Sequence, residues 1–595
     1  MSLATRTQVA PPAVGRDRHR RLKRNLWLLL LFLVVGYLVL VPVAMVIWGS
    51  FRTVPAGVEG ALTLENYRQA LSSPALRTSM INTLVFGVGS TLLACTLGTY
   101  LAWLTERTDV PFRRPLRVLA LLPLVVPGIL TTVAWTLVLN ERIGIGNTLL
   151  ANVPGVTGPV FDAYTMPAMI WADGTDSITL PFLLMAAAFR SMDPALEEAS
   201  LMSGSSQRRT LRSITLPLMT PAILASALLV FITTIGNFAV PAAMGLPGGI
   251  RVLATDVYLA TRSFPTDTNL AATYAVLYLL IALVGLLLYH RAVRSSEGFV
   301  TVTGRGARAT LMRLGASRRL HGVAALAILG VSVIVPLLVM IYASLLRFYT
   351  PPTVEVWSEF TLRNYRWVLF ESAAIERALR NNVVAGGTAA VVTVLLAAVI
   401  AWVVIRTRVR GRFLLDAVAS APLAFPGMVI ALALMWLYLI LPVPIYATLW
   451  IITLAYVTAF LPYALRATHA TLSQVGVVLE EASTAAGAAW SWTFVRIVLP
   501  LISTGLLVGF IYVFARTFKV LSLPVLLAGP GNEVLPVLIF DLYQDGRFPQ
   551  LNALGVLLSA FLLVVFVIAE RIAARIGQRS VEAEVPRATE SGSRR

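Results

Sequence analysis

Long apolar runs without a charged residue dominate this sequence and constrain its fold more than any other feature. Several reach about 20 residues, the length that crosses a bilayer as an α-helix, and the first follows a basic stretch that ends at Arg24. Hydrophobic residues make up 57 % of the chain and charged residues only 13 %. We therefore expect an all-α, polytopic membrane protein in place of the several soluble domains that 595 residues would ordinarily form.

The net charge of +19 is carried mainly by arginines in short segments between the apolar runs. Clusters of this kind mark cytoplasmic loops, because positively charged loops stay on the inner side of the membrane. The pattern favours membrane topology over nucleic-acid binding, and we expect no nucleic-acid partner. It predicts a multi-pass protein of the cytoplasmic (inner) membrane, embedded in the lipid bilayer, with both termini in the cytoplasm.

The apolar runs predict about 12 transmembrane helices in two parallel six-helix repeats. The predicted spans lie near residues 26–50, 79–104, 118–139, 178–189, 217–244, 270–289, 321–346, 381–405, 413–441, 446–465, 500–527 and 553–574. The corresponding domains are a cytoplasmic N-terminal tail (1–25), a first repeat (26–290), a cytoplasmic linker (291–320), a second repeat (321–576) and a cytoplasmic C-terminal tail (577–595).

Short motifs that occur twice support the duplication. Thr63-Leu64-Glu65-Asn66-Tyr67 matches Thr361-Leu362-Arg363-Asn364-Tyr365, and Pro127-Gly128 matches Pro426-Gly427. Each repeat contains an even number of predicted spans, so both repeats run in the same direction through the membrane. The first repeat has additional residues, which we place outside the membrane around 140–164, where Gly, Asn and Pro are frequent.

A polar loop also occurs twice, on the predicted cytoplasmic side between the fourth and fifth span of each repeat. The first copy reads Glu197-Glu198-Ala199-Ser200, then Gly204, then Ile214 and Leu216-Pro217; the second reads Glu480-Glu481-Ala482-Ser483, then Gly487, then Ile497 and Leu499-Pro500. The spacing from Glu to Gly to Ile to Leu-Pro is identical in the two copies. An ordinary loop that packs on its own bundle would not need this repetition.

The loop sequence predicts a helix–turn–helix outside the lipid. Asp193 and Pro194 suit the start of a helix, and the glutamates lie in its opening turns. Gly204 and Gly487 can adopt the positive φ that ends a helix. After the turn, Trp490, Phe494 and Ile497 lie on one apolar face of a second short helix. Pro217 and Pro500 are expected to separate that helix from the next span.

These residues resemble the EAA loop of permeases from binding-protein-dependent ATP-binding-cassette (ABC) importers. The six-plus-six arrangement resembles the fused permeases in which one chain supplies both halves. The resemblance implies the type I ABC importer permease fold and coupling loops that dock on a separate ATPase. The residues it assigns to those loops are Glu197, Glu198, Ala199, Gly204, Glu480, Glu481, Ala482 and Gly487.

The resemblance also implies the partners of such a chain. We expect two copies of an ABC ATPase subunit on the inner face and an extracytoplasmic substrate-binding protein on the outer face. We expect no cofactor in this chain, because ATP would be hydrolysed by the partner subunit. Both lysines of the sequence, Lys23 and Lys519, lack a preceding glycine-rich loop, so the chain has no Walker phosphate-binding motif.

Within the fused permeases, Trp171-x-Asp173-Gly174 and Ala187–Pro194 most resemble ferric iron permeases. The second half departs from that subgroup, because Phe518–Pro524 lacks the acidic residue expected after the lysine. Ferric iron is therefore the leading substrate expectation. An aminophosphonate, a polyamine or thiamine carried by the same machinery is the alternative.

Four charged residues fall within predicted spans and are candidates for a translocation pathway: Asp173, Asp176, Arg516 and Lys519. Charges at such depth are costly and usually face a pathway or each other. The alternative is structural, in which the cations reach outward or pair with the carboxylates to hold the halves together.

Other function classes find little support. The only cysteine is Cys95, and the histidines His19, His290, His321 and His469 are scattered, so neither a disulfide nor a metal site is predicted. No nucleophile–base arrangement stands out, and we do not expect an enzyme. An ion-driven secondary transporter can also have two parallel six-helix halves, but it would need more protonatable core residues and no docking loops.

Overall fold

The computed structural model describes residues 14–55, 58–193, 195–296, 311–353 and 355–584, and these are helical almost throughout. Extended pairing within the described ranges is limited to two isolated bridges, Arg52 with Leu62 and Thr108 with Met312. The predicted all-α fold class is confirmed. Residues 1–13, 297–310 and 585–595, which belong to the predicted tails and linker, lie outside the described residues.

The first half contains thirteen α-helices. They are α1 (Val14–Ser50), α2 (Glu65–Ser72), α3 (Pro74–Arg107), α4 (Arg113–Leu121), α5 (Gly128–Leu139), α6 (Ile145–Leu150), α7 (Met166–Asp176), α8 (Thr179–Ser191), α9 (Ala195–Met202), α10 (Gln207–Thr210), α11 (Leu216–Ile235), α12 (Leu253–Arg262) and α13 (Thr268–Ser296). A short 3₁₀ helix, Leu122–Leu124, extends α4, and a π-helical turn, Leu211–Thr215, joins α10 to α11.

The second half repeats this order. Its helices are α14 (Arg318–Leu329), α15 (Val335–Ser344), α16 (Arg363–Arg366), α17 (Ala373–Arg406), α18 (Arg412–Ser420), α19 (Gly427–Ile440), α20 (Leu449–Leu472), α21 (Val478–Ala485), α22 (Trp490–Thr493), α23 (Leu499–Leu501), α24 (Ser503–Thr517), α25 (Pro524–Leu527), α26 (Leu535–Gln544) and α27 (Phe548–Glu584). A π-helical turn, Phe494–Val498, follows α22.

Eight of the described helices are long and apolar enough to cross a membrane, or up to 11 spans if each of three sharply bent helix pairs is one span. The predicted fourth span is the exception. It consists of α7 and α8, separated at Ser177 and Ile178, and α8 is only a short apolar helix. Its counterpart α20 is continuous, which agrees with the weaker apolar run that the sequence has at this point.

The two halves share internal tethers that the repeated Asn-Tyr motif supplies. Tyr67 bonds the hydroxyl of Ser50 and Tyr365 bonds that of Ser344, each at 2.7 Å. The amides of Asn66 and Asn364 donate to main-chain carbonyls at the ends of α1 and α15. The duplication inferred from sequence is therefore also a duplication of contacts.

The first span of each half packs against the other half. Helix α1 lies against α19 as well as α13, and α15 lies against α5 as well as α27. Tyr37 and Tyr438 share a hydrogen bond of 2.8 Å across this boundary. Gly49 allows the close approach, because a β-carbon there would lie 3.0 Å from the ring of Trp436. This exchange ties the halves together and could not be read from hydropathy.

The predicted separation of the loop helix from the fifth span is wrong in the first half. Residues Gln207–Ile235 form one continuous helix through Pro217. The π-helical turn before the proline shifts the bonding register, so that the Leu216 N–H bonds the Leu211 carbonyl. In the second half the helix does bend, by 74°, but at Ile502 rather than at the residue before Pro500.

The additional residues of the first half lie where the sequence placed them. Residues 140–165 connect α5 to α7 and include α6, whereas only residues 441–448 connect α19 to α20. Asn147 organises this longer connection through hydrogen bonds to the main chain of Asn140, Val160 and Phe161. The unequal length of the two halves therefore arises mainly in this connection.

Candidate functional site

The two repeated loops form matching helix–turn–helix units. In the first, α9 is followed by a turn at Gly204 and by α10; in the second, α21 is followed by a turn at Gly487 and by α22. The predicted helix start at Asp193 is supported, since its carboxylate accepts a hydrogen bond of 2.9 Å from the Ala195 N–H. Pro194 lies outside the described residues.

Glu197 is buried and anchors the first loop to the membrane bundle. Its carboxylate pairs with the guanidinium of Arg107, the last residue of α3, and accepts a hydrogen bond of 2.5 Å from Thr215. The side chains of Arg107 and Glu197 are only 2 % and 8 % exposed. A pair so removed from water is strongly coupled, because breaking it would leave a buried unpaired charge.

Glu480 performs the same task in the second loop with different partners. Its carboxylate accepts hydrogen bonds from Arg406 at 2.9 Å and from the Trp402 indole at 3.0 Å. Arg406 is the last residue of α17 and also donates to the carbonyls of Leu472 and Val475. Each loop is thus fastened to the end of the second span of its own half, the end that the sequence predicts to be cytoplasmic.

The second glutamate of each pair points away from the bundle. Glu198 and Glu481 are exposed, as are the adjacent Ala199 and Ala482. The two glutamates of each loop therefore have separate positions: the first holds the loop to the span, and the second faces the surroundings. From the sequence, both glutamates of each pair are assigned to the coupling loop, because the local amino-acid sequence does not distinguish a buried carboxylate from an exposed one.

A hydroxyl pair joins the two helices within each loop. Ser200 bonds Thr210 at 2.9 Å, and Ser483 bonds Thr493 at 2.8 Å. The serine of each loop is therefore matched by a threonine at the same spacing in both copies. This contact fixes the angle between the two loop helices.

The predicted positive φ of the loop glycines is confirmed. Gly204 has φ +79° and Gly487 has φ +84°, and neither has a neighbour that a β-carbon would meet. The following residues close the helix end, with Ser205 N–H bonding the Ser200 carbonyl and Ala488 N–H bonding that of Ser483. A side chain at either glycine would thus strain the backbone without a steric clash.

Valine at both Gly204 and Gly487 is expected to reduce transport severalfold, because each left-handed residue costs roughly 1–2 kcal/mol and the turn would reorient. Membrane-vesicle uptake measures the effect. The matched control is valine at Gly155 and Gly531, which also have positive φ and open surroundings but lie outside the loops. Equal losses in both double variants would show that backbone strain alone, and not the loop turn, causes the defect.

The apolar face predicted for the second loop's second helix packs on its own bundle. Trp490 stacks on Phe494 with ring centroids 5.3 Å apart and lies 5.1 Å from Trp402 of α17. The equivalent helix of the first loop instead carries exposed arginines at 208, 209 and 212. The two loops therefore share their first helix and their anchors but present chemically different second helices.

The end of the interrepeat linker is docked beside the first loop. Met312 forms main-chain hydrogen bonds with Arg107 and Asp109, and the Leu314 N–H donates to the Asp109 carboxylate at 2.9 Å. Gln207 of α10 donates to the Arg313 carbonyl at 2.5 Å. The linker thus contacts both the first loop and the span to which that loop is anchored.

Of the four charges predicted within spans, Asp173 has a local partner. It is 1 % exposed and accepts a hydrogen bond of 2.7 Å from Asn237, beyond the end of α11. The position that matches it in the second half, Tyr456, donates to the Thr517 carbonyl at 3.4 Å. Both halves therefore join the fourth span to the end of the fifth at this level.

Lys519, in contrast, reaches across to the other half. Its ammonium donates to the carbonyls of Pro123 at 2.7 Å and Leu124 at 2.9 Å. Asp176 interacts electrostatically with both Lys519 and Arg516, and the Arg516 Nε is buried without a hydrogen-bond partner. The structure thus places Asp176 near Arg516 and Lys519. Asp173 instead bonds Asn237.

Sequence reasoning missed the anchoring cations. Arg107 and Arg406 each end the second span of their half. Each lies at the same distance after a matched Ala-Trp pair, Ala102-Trp103 in the first half and Ala401-Trp402 in the second. That repetition was a usable signal. Among the residues that the structure describes, no three His, Cys, Asp or Glu side chains could hold a metal ion together.

The duplicated bundle and its two anchored loops define a membrane transport component, and comparison with known families agrees. The family described as "Binding-protein-dependent transport system inner membrane component" matches residues 94–297 and again residues 388–581. The chain belongs to this family. It is a multi-pass permease of the inner membrane, a transport component rather than an enzyme.

Individual relatives are permeases of similar transport systems. It is 26 % identical over 494 residues to the ferric transport system permease protein FbpB of Actinobacillus pleuropneumoniae, covering 80 % of this chain and 68 % of that one. It is 27 % identical to the putative ferric transport system permease protein FbpB 1 of Haemophilus influenzae, covering 75 % and 69 %. A putative 2-aminoethylphosphonate permease protein, PhnU of Salmonella typhimurium, is 25 % identical over 47 % of this chain.

Proposed function

We propose that this chain is the fused permease of an ABC importer that moves ferric iron from an extracytoplasmic binding protein into the cytoplasm. The observation that carries the proposal is the pair of matching loops. Each presents an exposed glutamate, Glu198 or Glu481, on a helix that the neighbouring glutamate fastens to a membrane span; that neighbour is buried in the first loop and half-buried in the second.

The loops fit two copies of one ATPase subunit. Each first helix has the same length, the same exposed Glu-Ala edge and the same glycine turn. The chain's own sequence lacks a Walker loop, so the energy for transport would come from these partners. Both termini and both loops lie on the cytoplasmic side in this arrangement, and the binding protein docks on the opposite face.

The buried anchors give a route for the ATPase motion. When the ATPase subunits close, each loop helix moves with the groove that holds it. The Arg107–Glu197 and Arg406–Glu480 pairs then carry this displacement to the ends of α3 and α17. A buried ion pair suits this task, because its contacts are short and directional and their loss is costly.

The relatives support ferric iron as the substrate, since two ferric permeases match most of this chain. A phosphonate is the competing cargo, because Arg516 and Lys519 offer cations between the halves and a 2-aminoethylphosphonate permease is also similar to part of the chain. Ferric iron that arrives with an anionic ligand would satisfy both observations.

Uptake into cells or vesicles that contain the complete transporter tests the proposal. We expect an ATPase subunit to co-purify with the chain and radiolabelled ferric iron to accumulate in an ATP-dependent manner. 2-Aminoethylphosphonate, a polyamine and thiamine serve as the comparison substrates. Absence of a bound ATPase would reject the importer, and accumulation of a comparison substrate in place of iron would reject the cargo.

A further inference from the structure

The third span of the first half is broken in the middle, and the break exposes main-chain carbonyl groups. Helix α4 with its 3₁₀ extension meets α5 at 103°. In a continuous helix the Pro123 carbonyl would accept from residue 127, but that residue is a proline without an N–H. The break therefore leaves main-chain carbonyls free in a region where lipid and protein offer little water to satisfy them.

The second half supplies the missing donor. Lys519 follows the end of α24 and places its ammonium on the carbonyls of both Pro123 and Leu124. A cation at the carbonyl end of a helix is favoured by the helix dipole. The contact is therefore charge-assisted, and it bridges the two halves of the permease.

The opposite end of the break carries the opposite charge. A β-carbon at Gly128, the first residue of α5, would lie 3.4 Å from the Asp176 carboxylate. The amide end of α5 thus faces an anion while the carbonyl end of the preceding segment faces a cation. Asp176 belongs to the same half as the break, whereas Lys519 does not, so separating the halves would remove only the cation.

Among the residues that the structure describes, no side chain of the first half makes the equivalent hydrogen bond to the broken third span of the second half. Aligning the two loops places Gly236, which has no side chain, at the position of Lys519. The carbonyl of Pro422, the counterpart of Pro123, is instead satisfied within its own segment by the Phe425 N–H at 3.1 Å. The cross-half contact is therefore a single, asymmetric feature and not a by-product of the duplication.

We infer that Lys519 is a gating residue that closes the pathway at the level of the break in the third span of the first half, by seating its ammonium on that span. On the predicted topology helix α24 starts at the cytoplasmic loop and ends near Lys519, so the contact lies within the membrane, away from the inner face. This inference rests on the proposed transport function. Opening of the pathway to the outside requires the contact between Lys519 and the third span to break. The strength of this contact therefore determines how often the permease opens to the outside without the binding protein.

The test compares Lys519→Met with Lys519→Arg in the permease–ATPase complex reconstituted without binding protein. Methionine keeps the length but removes the charge, so basal ATP hydrolysis is expected to rise by roughly tenfold, the factor expected when a charge-assisted contact that favours one state is lost. Arginine should keep hydrolysis near the parent level. Arg262→Met is the matched control, since Arg262 also donates to a carbonyl of the other half, that of Val525.

A second readout does not depend on the ATPase. Thr131 lines a small cavity with Pro123 and Asp176, and a cysteine there, with Cys95 replaced by serine, reports access from outside to a membrane-impermeant thiol reagent. We expect faster labelling in Lys519→Met than in the parent. If Lys519→Met does not assemble, Lys519→Gln carries the same comparison, because it also removes the charge from the contact with the Pro123 and Leu124 carbonyls.

Unchanged labelling and unchanged basal hydrolysis in an assembled variant would overturn the gate. Failure of the proposed function looks different, because no ATPase would then be bound to the parent protein. An equal rise in labelling in Arg262→Met would also overturn the gate. Loss of any cation that bonds the other half would then have the same effect, and Lys519 would have no specific role.

Discussion

Replacing Glu197 with alanine is expected to destabilise the permease by about 3–5 kcal/mol, the cost of leaving one partner of a buried ion pair uncompensated. The Arg107 side chain is 2 % exposed in the parent protein, and its Nε and one terminal nitrogen already lack partners there. Glu480→Ala should cost less, about 1–3 kcal/mol, because Arg406 keeps the carbonyls of Leu472 and Val475. Thermal or denaturant unfolding of the purified protein in lipid nanodiscs measures the difference.

Two comparisons sharpen this result. Glu198→Ala and Glu481→Ala are the matched controls, because both side chains are exposed and such changes usually stay within about 0.5 kcal/mol. The double change Arg107→Met with Glu197→Leu should recover most of the lost stability, since well-packed apolar residues can replace a buried pair. Equal losses for Glu197→Ala and Glu480→Ala would contradict the asymmetry of the two anchors.

Lysine at both Glu198 and Glu481 is expected to abolish energy coupling while leaving the fold intact. Reversal of a charge inside an interface costs several kcal/mol, so ATPase binding should weaken by about a hundredfold or more. Both side chains are exposed, so unfolding should be unaffected. Co-purification of the ATPase and uptake of ferric iron would fall together.

The control is lysine at Glu65 and Glu371, which are also exposed but precede α3 and α17 on the predicted outer side. That variant should keep its ATPase. The single variants Glu198→Lys and Glu481→Lys then compare the two loops, whose second helices carry arginines in one case and tryptophans in the other. Retention of the ATPase and of uptake by the double variant would show that the exposed glutamates are not part of the docking surface.

The fold could be predicted well from the sequence, because membrane-spanning helices are recognisable from the local run of apolar residues. An apolar run of sufficient length must be helical in lipid, and its neighbours orient it. The prediction failed where the hydrogen-bond register changes within a helix. Pro217 was expected to end a helix. The helix instead continues through Pro217, because a π-helical turn before the proline shifts the hydrogen-bond register. No local pattern signals such a shift of hydrogen-bond register.

The candidate site was predictable only in part. Repetition identified both loops and their glycine turns, whose positive φ the structure confirms. Repetition could not assign Glu197 inward and Glu198 outward, because neighbouring helical residues differ by 100° and either could face the bundle. The anchoring arginines lie far from the loops in sequence, so their role required the packing of α3 against the loop.

Residue type and periodicity thus determined that this chain is a duplicated helical membrane protein with two equivalent polar loops, since burial in lipid and helix termination are local requirements. The tertiary structure alone decided which carboxylates are buried, which span each loop is fastened to, and that Lys519 of one half contacts the broken span of the other. The reason is physical. Electrostatic partners are chosen by proximity after folding, and residues 396 positions apart leave no local trace of a hydrogen bond between them.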